Sequence, residues 1–370
     1  MTSPDQEGTR RIRVLLSAPM NSVGGQAHAA RDIIEGFERH PEVTVRPVAI
    51  DPQLPGPLGF LTRTKGVRSV VKPALYTAAL LRHTRRADVV HVFCAAHLAF
   101  LFGAMPAVLV AILFRKPVIL NYHDGRAEAH LLRWGPLVRW AVRRSRMLVV
   151  PSGYLVDIFA AHGISATVVP NVVDTRAFPH RPQETPAPRM VSTRALEDLY
   201  GIDNTIRAFA LVRKEIPHVT CDVYGGGSMM PLLQDLAAEL GEEGIHFHGE
   251  IAHERVPEVL AAGGILVNSS RVDNMPHVLV EASASGLPIV TTDVGGIPYM
   301  VENEVTALLV PPDQPGLMAS AVLRMLRDPD LARRLAGTAY EACSNYTWNR
   351  ARTLWVTAYK RTAGTSPPSP

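Results

Sequence analysis

The stretch Arg271–Pro288, RVDNMPHVLVEASASGLP, sets two carboxylates, Asp273 and Glu281, eight residues apart with a proline and an apolar run between them. It follows a strand-like run, GILVNSS. Pro276 suits the first turn of a helix, where its missing N–H would be unpaired anyway, and Gly286 suits the position just past a helix end. The spacing therefore predicts a helix over 276–285. Its free amides point out of a strand-to-helix turn and form an anion site worth a fraction of a kcal/mol to about 2 kcal/mol. Glu281 lies more than one turn into this helix, among Val278, Leu279, Val280 and Ala282. A carboxylate in that company is costly unless it is paired or meets a polar ligand; the plainer reading is a solvated helix position. Asp273, just before the helix, reads either as a cap or turn residue or as a ligand group.

The same strand-then-helix grammar extends in both directions. RVLLS, TVRPVAI, DVVHVF, PVILNY, MLVVP and ATVVP are the strand candidates of the first half, and RMVST, VTCDVYG, GIHFHG, GILVNS, PIVTT and ALLVPP those of the second. Near-continuous Val, Ile and Leu runs separated by helices predict parallel sheets covered on both faces. The fold class is α/β, with two doubly wound Rossmann-like domains in series, and ligands of such sheets bind beyond the carboxyl ends of the strands. The expected site is the cleft between them. Residues 1–175 are expected to form an N-terminal Rossmann-like domain, and the proline-crowded 176–188 segment is read as a linker. Residues 189–345 are expected to form a C-terminal Rossmann-like domain, 346–363 a terminal helix packing back on the first domain, and 364–370 a disordered tail. Asp328-Pro-Asp330 is read as a turn and helix cap rather than a metal pair.

A length of 370 residues suits two domains, each with its own core. Three scattered cysteines, Cys94, Cys221 and Cys343, supply neither a zinc spacing nor a disulfide framework and point to a reduced, cytoplasmic setting. The opening MTSPDQEGTR lacks the basic-then-apolar pattern of a secretory signal. The N-x-[ST] triplets at Asn268 and Asn345 are accordingly given no meaning. The net charge of +4 hides a split: residues 1–180 hold 22 Lys and Arg against 12 Asp and Glu, and the remainder holds 16 against 22. A basic half implies an anionic partner such as a membrane surface, a phosphorylated lipid or nucleic acid, or else solvated charge alone. No Asp, Glu, Lys or Arg occurs between Asp88 and Arg115. The run breaks into strand, helix and strand, so it reads as a buried βαβ unit rather than a membrane span.

Glycine pairs follow three strands, at Gly24-Gly25, Gly225-Gly226-Gly227 and Gly295-Gly296. Glycines there let backbone amides approach phosphate, although each also simply makes a turn. With these residues in view, DNMPHVLVEASASGLPIVTTDVGGIP resembles the signature of the family-4 glycosyltransferases, group 1 type, of the GT-B fold. The resemblance extends through APMNSVGGQAHAARDI, LNYHDG, VVPNVVD, the Arg194 segment, DVYGGGS, IHFHGEI and YTWNRA. It implies a retaining sugar transfer from a nucleotide donor, with residues 1–175 as the acceptor-binding domain and 189–345 as the nucleotide-sugar-binding domain. Carried over by residue, it assigns Glu281 to the ribose hydroxyls, and Asp273 with the backbone of Asn274, Met275 and Pro276 to the donor sugar. The diphosphate would meet the start of the 276–285 helix, the Gly24 and Gly25 amides and Arg194, with His123 facing the sugar. His277, Val278, Gly226 and His248 complete the implied donor site. Asp273, His123 and Arg194 are thus the catalytic candidates. Helix amides and an arginine aimed at the leaving diphosphate would lower the barrier with no metal and no cofactor.

The chain also departs from the family pattern. Asp273 stands where the first acid is usually Glu, Leu199 and Tyr200 occupy RALEDLYG where a lysine is usual, and Tyr299 replaces a common acid after the glycine pair. These changes motivate an alternative, a catalytically weak or regulatory GT-B protein that binds nucleotide sugar. A dinucleotide oxidoreductase is excluded, because SAPMNSVGGQ does not supply G-x-G-x-x-G after the first strand. The two acids are no glycosidase pair, which must flank one bond. LTRTKGVRSVVK, LLRHTRRAD and RWGPLVRWAVRRSR interleave cations with apolar and Trp residues, Trp134 and Trp140 included. Such segments favour peripheral contact with an anionic membrane. RNA binding has no supporting motif. The expected partners are a UDP- or GDP-sugar, a glycan or lipid-linked acceptor and an anionic membrane surface, with no nucleic acid, in cell-surface polysaccharide or glycolipid assembly at the cytoplasmic face.

Overall fold

In the computed structural model, which describes residues 11–22, 25–64, 66–241 and 243–364, each of the strand-sized apolar runs forms a strand, and the strands assemble into two six-stranded parallel sheets. The chain divides into two compact units: residues 1–172 with 348–370, and residues 173–347.

The first unit carries β1 (Ile12–Ala18), α1 (Gly25–Phe37), β2 (Val43–Ala49), α2 (Val67–Thr84), β3 (Val89–Cys94), α3 (Met105–Leu113), β4 (Val118–Tyr122), α4 (Ala127–Arg144), β5 (Met147–Val150), α5 (Gly153–Ala161) and β6 (Thr167–Val168). Its strand order is β2-β1-β3-β4-β5-β6. All six residues of β3 are buried, as a central strand covered on both faces requires. Leu15, Val90, Val92 and Leu120 meet α2, α3 and α4 on one face, while Val14, Leu16, Phe93 and Ile119 meet α1 on the other. The charge-free run thus becomes β3, a π-helical turn at Phe100–Ala104 and the nine-residue α3. Among the described residues no helix is long and apolar enough to cross a membrane.

The second unit holds β7 (Arg189–Ser192), α6 (Ile202–Glu215), β8 (Thr220–Tyr224), α7 (Met230–Glu239), β9 (Ile245–Gly249), α8 (Val256–Ala261), β10 (Ile265–Asn268), α9 (His277–Ser285), β11 (Ile289–Thr292), β12 (Leu308–Val310), α10 (Pro315–Arg327) and α11 (Pro329–Ala342). The order β12-β11-β10-β7-β8-β9 makes β7 and β10 neighbours, so the strand order reverses between them. Such a switch point opens a crevice between the loops that follow the two strands. Asp328 caps α11, its carboxylate accepting from the Leu331 amide at 3.0 Å. Asn268 is fully buried and donates to Thr291 Oγ1, so its glycosylation triplet is inaccessible.

The final helix, α12 (Trp348–Ala363), belongs to the first unit. Ala351, Trp355, Ala358 and Tyr359 join the α1 side of its core, and the Trp348 ring lies against Gly36, where any Cβ would come within 2.0 Å of it. The segment read as a linker is instead folded onto the second unit. Phe178 is buried there, the Arg181 amide donates to the Ser285 carbonyl at 3.0 Å, and the Gln183 side chain bonds both the N–H and the C=O of Gly264. Proline density signalled absence of regular structure; it could not show that one glutamine amide would satisfy a backbone glycine. Residues 365–370 of the expected tail lie outside the described residues, as does Gly24.

Candidate functional site

At the β7/β10 switch point the two strand-end loops place Arg194 beside Asp273. Arg194 Nη2 donates to Asp273 Oδ2 at 2.6 Å, and the two side chains are only 12% and 11% exposed. Asp273 is held firmly: its Oδ1 accepts from the Asn274 amide at 3.0 Å, its Oδ2 from Ser270 Oγ at 3.2 Å, and its carbonyl from the Gly296 amide at 3.0 Å. The arginine is steered from its other side by Tyr200, whose ring centroid lies 4.0 Å from the guanidinium carbon. Its Nε is buried with no hydrogen-bond partner among the described residues. A buried donor left open is able to take an acceptor from a ligand or a water.

The helix α9 starts one residue later than the sequence suggested. Pro276 is its extended N-cap, at φ −68° and ψ 113°, and Gly286 closes it in the left-handed region at φ 79°. Glu281 sits inside and is 6% exposed. Burial pushes its carboxyl up to about 7, with the nearby Arg194 charge opposing the rise. Outside the helix ladder, its hydrogen bond among the described residues is made by the backbone carbonyl, which accepts from Ser285 Oγ at 2.9 Å. The acid therefore carries its desolvation without a hydrogen-bonded cation. Val278 and Met275 are buried, Val278 in the apolar cluster under α9, so their side chains pack while their backbones line the turn. His277 forms the first residue of α9.

Two glycine loops prove to serve loop packing. A Cβ on Gly295 would meet the Asp273 carbonyl oxygen at 2.0 Å, and one on Gly296 the Asn274 oxygen at 1.7 Å. Gly225 and Gly227 likewise abut the carbonyls of Arg194 and Leu196, and Gly226 accepts from the Leu196 amide at 2.9 Å. Glycine is required because backbone meets backbone, which fixes the height of Arg194 and Asp273. His248 is tied elsewhere: Nε2 lies 2.7 Å from Asp222 Oδ1, and its ring stacks on Tyr224 at 4.2 Å. Tyr299 is half exposed.

Sequence reading missed Arg271, which fastens three loops at once. Its guanidinium donates to Asp203 Oδ2 and Asp313 Oδ1 at 2.8 Å and to the Asp198 carbonyl at 2.7 Å. The acids are scattered along the sequence and meet only because β7, β10 and β12 end at the same edge of the sheet. Asp198 and Asp313 are well exposed, so screening weakens their share. Arg271→Ala is expected to lower stability by about 1–2 kcal/mol, read from urea unfolding.

His123 and Gly25 belong to the first unit. Gly25 opens α1 with no atom within 4 Å of a Cβ position, and the next residue, Gln26, donates to the His123 carbonyl at 3.1 Å. His123 Nε2 lies 2.8 Å from Asn121 Oδ1, Asn121 Nδ2 lies 3.0 Å from His91 Nε2, and His91 Nδ1 lies 2.9 Å from the Tyr359 hydroxyl. Burial holds His123 and His91 down to about 3. Both are neutral near pH 7, so His123 can donate or accept a hydrogen bond but cannot serve as a charged acid. A pH–rate profile is expected to show no step attributable to it between pH 5 and 9, measured against His123→Gln.

Residues 175–342 match the family described as Glycosyl transferases group 1, and residues 23–177 match Glycosyltransferase Family 4. The chain is 28% identical over 274 residues to a glycogen synthase from Mycobacterium tuberculosis, covering 69% of this chain and 66% of that protein. It is 30% identical over 174 residues to a D-inositol 3-phosphate glycosyltransferase from Streptomyces griseus, covering 44% of this chain and 37% of that one. In fold it is similar to Anabaena HepE in complex with UDP and glucose, with a TM-score of 0.75, 17% identity and coverage of 95% and 100% of the two chains. A sucrose-phosphate synthase from Thermosynechococcus elongatus is alike too, with a TM-score of 0.74, 19% identity and coverage of 96% and 100%. Family matches that run in order from residue 23 to 342, on two parallel sheets, place this chain among the family-4 glycosyltransferases of the GT-B fold.

Proposed function

We propose that the protein is a retaining, metal-independent hexosyltransferase that moves a sugar from a UDP- or GDP-sugar to a glycan or lipid-linked acceptor in cell-surface polysaccharide or glycolipid biosynthesis. The observation that carries this reading is the buried Arg194–Asp273 pair at the loop before α9, with Glu281 buried inside that helix and within reach of the Arg194 charge. A leaving diphosphate gains negative charge as the glycosidic bond breaks, and Arg194 with the α9 amides is arranged to meet it. Glu281 is an acceptor for the ribose hydroxyls, whose donors would compensate the desolvated carboxylate. Asp273, in the loop before α9, is the group assigned to the donor sugar. The fold-level likeness to HepE, whose structure was solved with UDP, supports a nucleotide ligand by analogy.

The screen that tests this offers UDP-, GDP- and ADP-sugars and reads thermal shift and release of nucleoside diphosphate. A response to one base class is expected. A shift without release would favour the second reading, a catalytically weak or regulatory nucleotide-sugar binder, and no shift with any of them would count against both readings. The second reading draws on Leu199 and Tyr200 standing where a lysine is usual and on Asp273 pairing with Arg194. Tyr200→Ala is expected to weaken UDP or GDP binding by roughly two- to thirtyfold while Tyr200→Phe leaves it near wild type, because the ring face steers the guanidinium. Calorimetric titration of the two variants decides it.

A further inference from the structure

Residues 52–156 contain 15 Lys and Arg against three Asp and Glu, so the basic excess of the first half is concentrated in the part that builds α2, α3 and α4. Two of those three acids are already engaged, Asp88 by Arg13 and Asp124 by Arg126. The same helices cover one face of the first sheet, with α3 between the other two. Against this cationic surround, α3 is apolar on all sides. Its inner residues Val108 and Ala111 are buried, yet Leu109 and Leu113 on its outer stripe are 52% and 67% exposed, as is Phe102, at 55%, in the π-helical turn that leads into it. Leu98, in the loop after β3, is 61% exposed as well, and Phe60, before α2, and Val70, in its first turn, are further exposed apolar side chains of the same unit. A helix apolar all round is normally buried or in lipid, and patches of this kind on a soluble surface mark an interaction site.

With the membrane-borne acceptor proposed above as its premise, we propose that the α3 stripe is a docking surface for an anionic lipid bilayer. Phe102, Leu109 and Leu113 enter the headgroup–acyl boundary, and Arg68, Lys72, Arg115 and Arg133 around them meet lipid phosphates. Charge complementarity selects the occupant. A nucleic acid would use the cations but gain nothing from an exposed Leu and Phe stripe, and a second copy would set one cationic face against another. Leu98 lies in the loop after β3. Since β1 and β3 are adjacent while their order reverses, that loop lies at the switch point of the first sheet. A lipid-linked acceptor held at the stripe therefore has its head group delivered to the crevice at the strand ends of this unit.

The test is co-sedimentation of the full chain with vesicles of phosphatidylcholine alone or mixed with phosphatidylglycerol, at low and high salt. Binding is expected only with phosphatidylglycerol and to weaken with salt. Leu109→Ser with Leu113→Ser is expected to lower the partition more than tenfold, and each of Arg68→Gln and Arg115→Gln about fivefold. All four positions are at the surface, and unchanged melting curves verify that the variants fold. Failure of the wild type to sediment overturns the proposal, as does full binding by the double serine variant. Preferential retention by single-stranded RNA, or a dimer dispersed by the serine changes, overturns it too and names the other occupant. Vesicle binding needs no turnover, so its loss leaves the transferase reading standing, and absent turnover leaves the docking surface standing.

Discussion

Arg194→Ala is expected to lower kcat/KM for the nucleotide-sugar donor by about 10²–10³-fold and to destabilise the chain by about 3 kcal/mol. Two separate losses are involved. The first is the cation that meets the leaving diphosphate in a site where Arg194 is only 12% exposed, so solvent cannot replace it. The second is the partner of Asp273, whose carboxylate would remain almost buried and keep only the Ser270 and Asn274 donors. Pairing the change with Asp273→Asn separates them. The double variant is expected to recover most of the lost stability, because no unpaired charge remains, and none of the lost turnover. Asp273→Asn alone frees Arg194 and is expected to keep or improve UDP or GDP binding while kcat falls, if Asp273 meets the sugar. Wild-type turnover in Arg194→Ala would remove this residue from the mechanism.

Glu281→Gln is expected to move stability and nucleotide binding in opposite directions. The folded chain holds Glu281 up to about 7 by burial, whereas the unfolded chain releases that proton near 4.5. Below pH 4.5 both states are protonated and the acid adds no penalty. As pH rises from 4.5 to 7 the unfolded state loses its proton first, so stability falls with rising pH and levels off above 7 at a loss of about 3 kcal/mol. Glutamine has nothing to ionise. Urea unfolding is expected to show the variant up to about 3 kcal/mol more stable at pH 8 and equal to wild type at pH 4. Binding of UDP or GDP should weaken about ten- to hundredfold in the variant, since a charged acceptor of two hydroxyls has been replaced by a neutral one. Affinity of the wild type should rise with pH through 7, because the ribose hydroxyls favour the ionised acid. A variant with unchanged pH dependence and unchanged binding would make Glu281 an ordinary buried residue.

The opening stretch shows why such a site is only partly legible beforehand. Pro276, Gly286 and the apolar run fixed helix α9 to within one residue and set Glu281 in apolar company, because those features depend on residues within a few positions of one another; that Glu281 is buried rather than solvated appeared only with the fold. The pairing of Arg194 with Asp273 spans 79 residues and depends on two strands being neighbours. The three glycine loops illustrate the same division. Their positions after strands were readable, and local rules offered phosphate binding and turning as their uses; that the Gly225 and Gly295 loops also leave space for another loop's carbonyl appeared only with the fold. Tyr200 stood out in the sequence only as a missing lysine, and its role under the Arg194 guanidinium appeared with the fold.

The sequence by itself determined the strands, the helices between them, the parallel sheets and the family, since period, turn chemistry and motif order are properties of the chain taken in sequence. Only the tertiary structure decided that Arg194 is already paired, that Arg271 fastens three loops, that a proline-rich segment is folded onto the second unit, and that α3 shows an apolar stripe to solvent. Each of these depends on which groups compete for one charge or one surface, and that competition exists only when distant segments are brought within a few ångströms of one another.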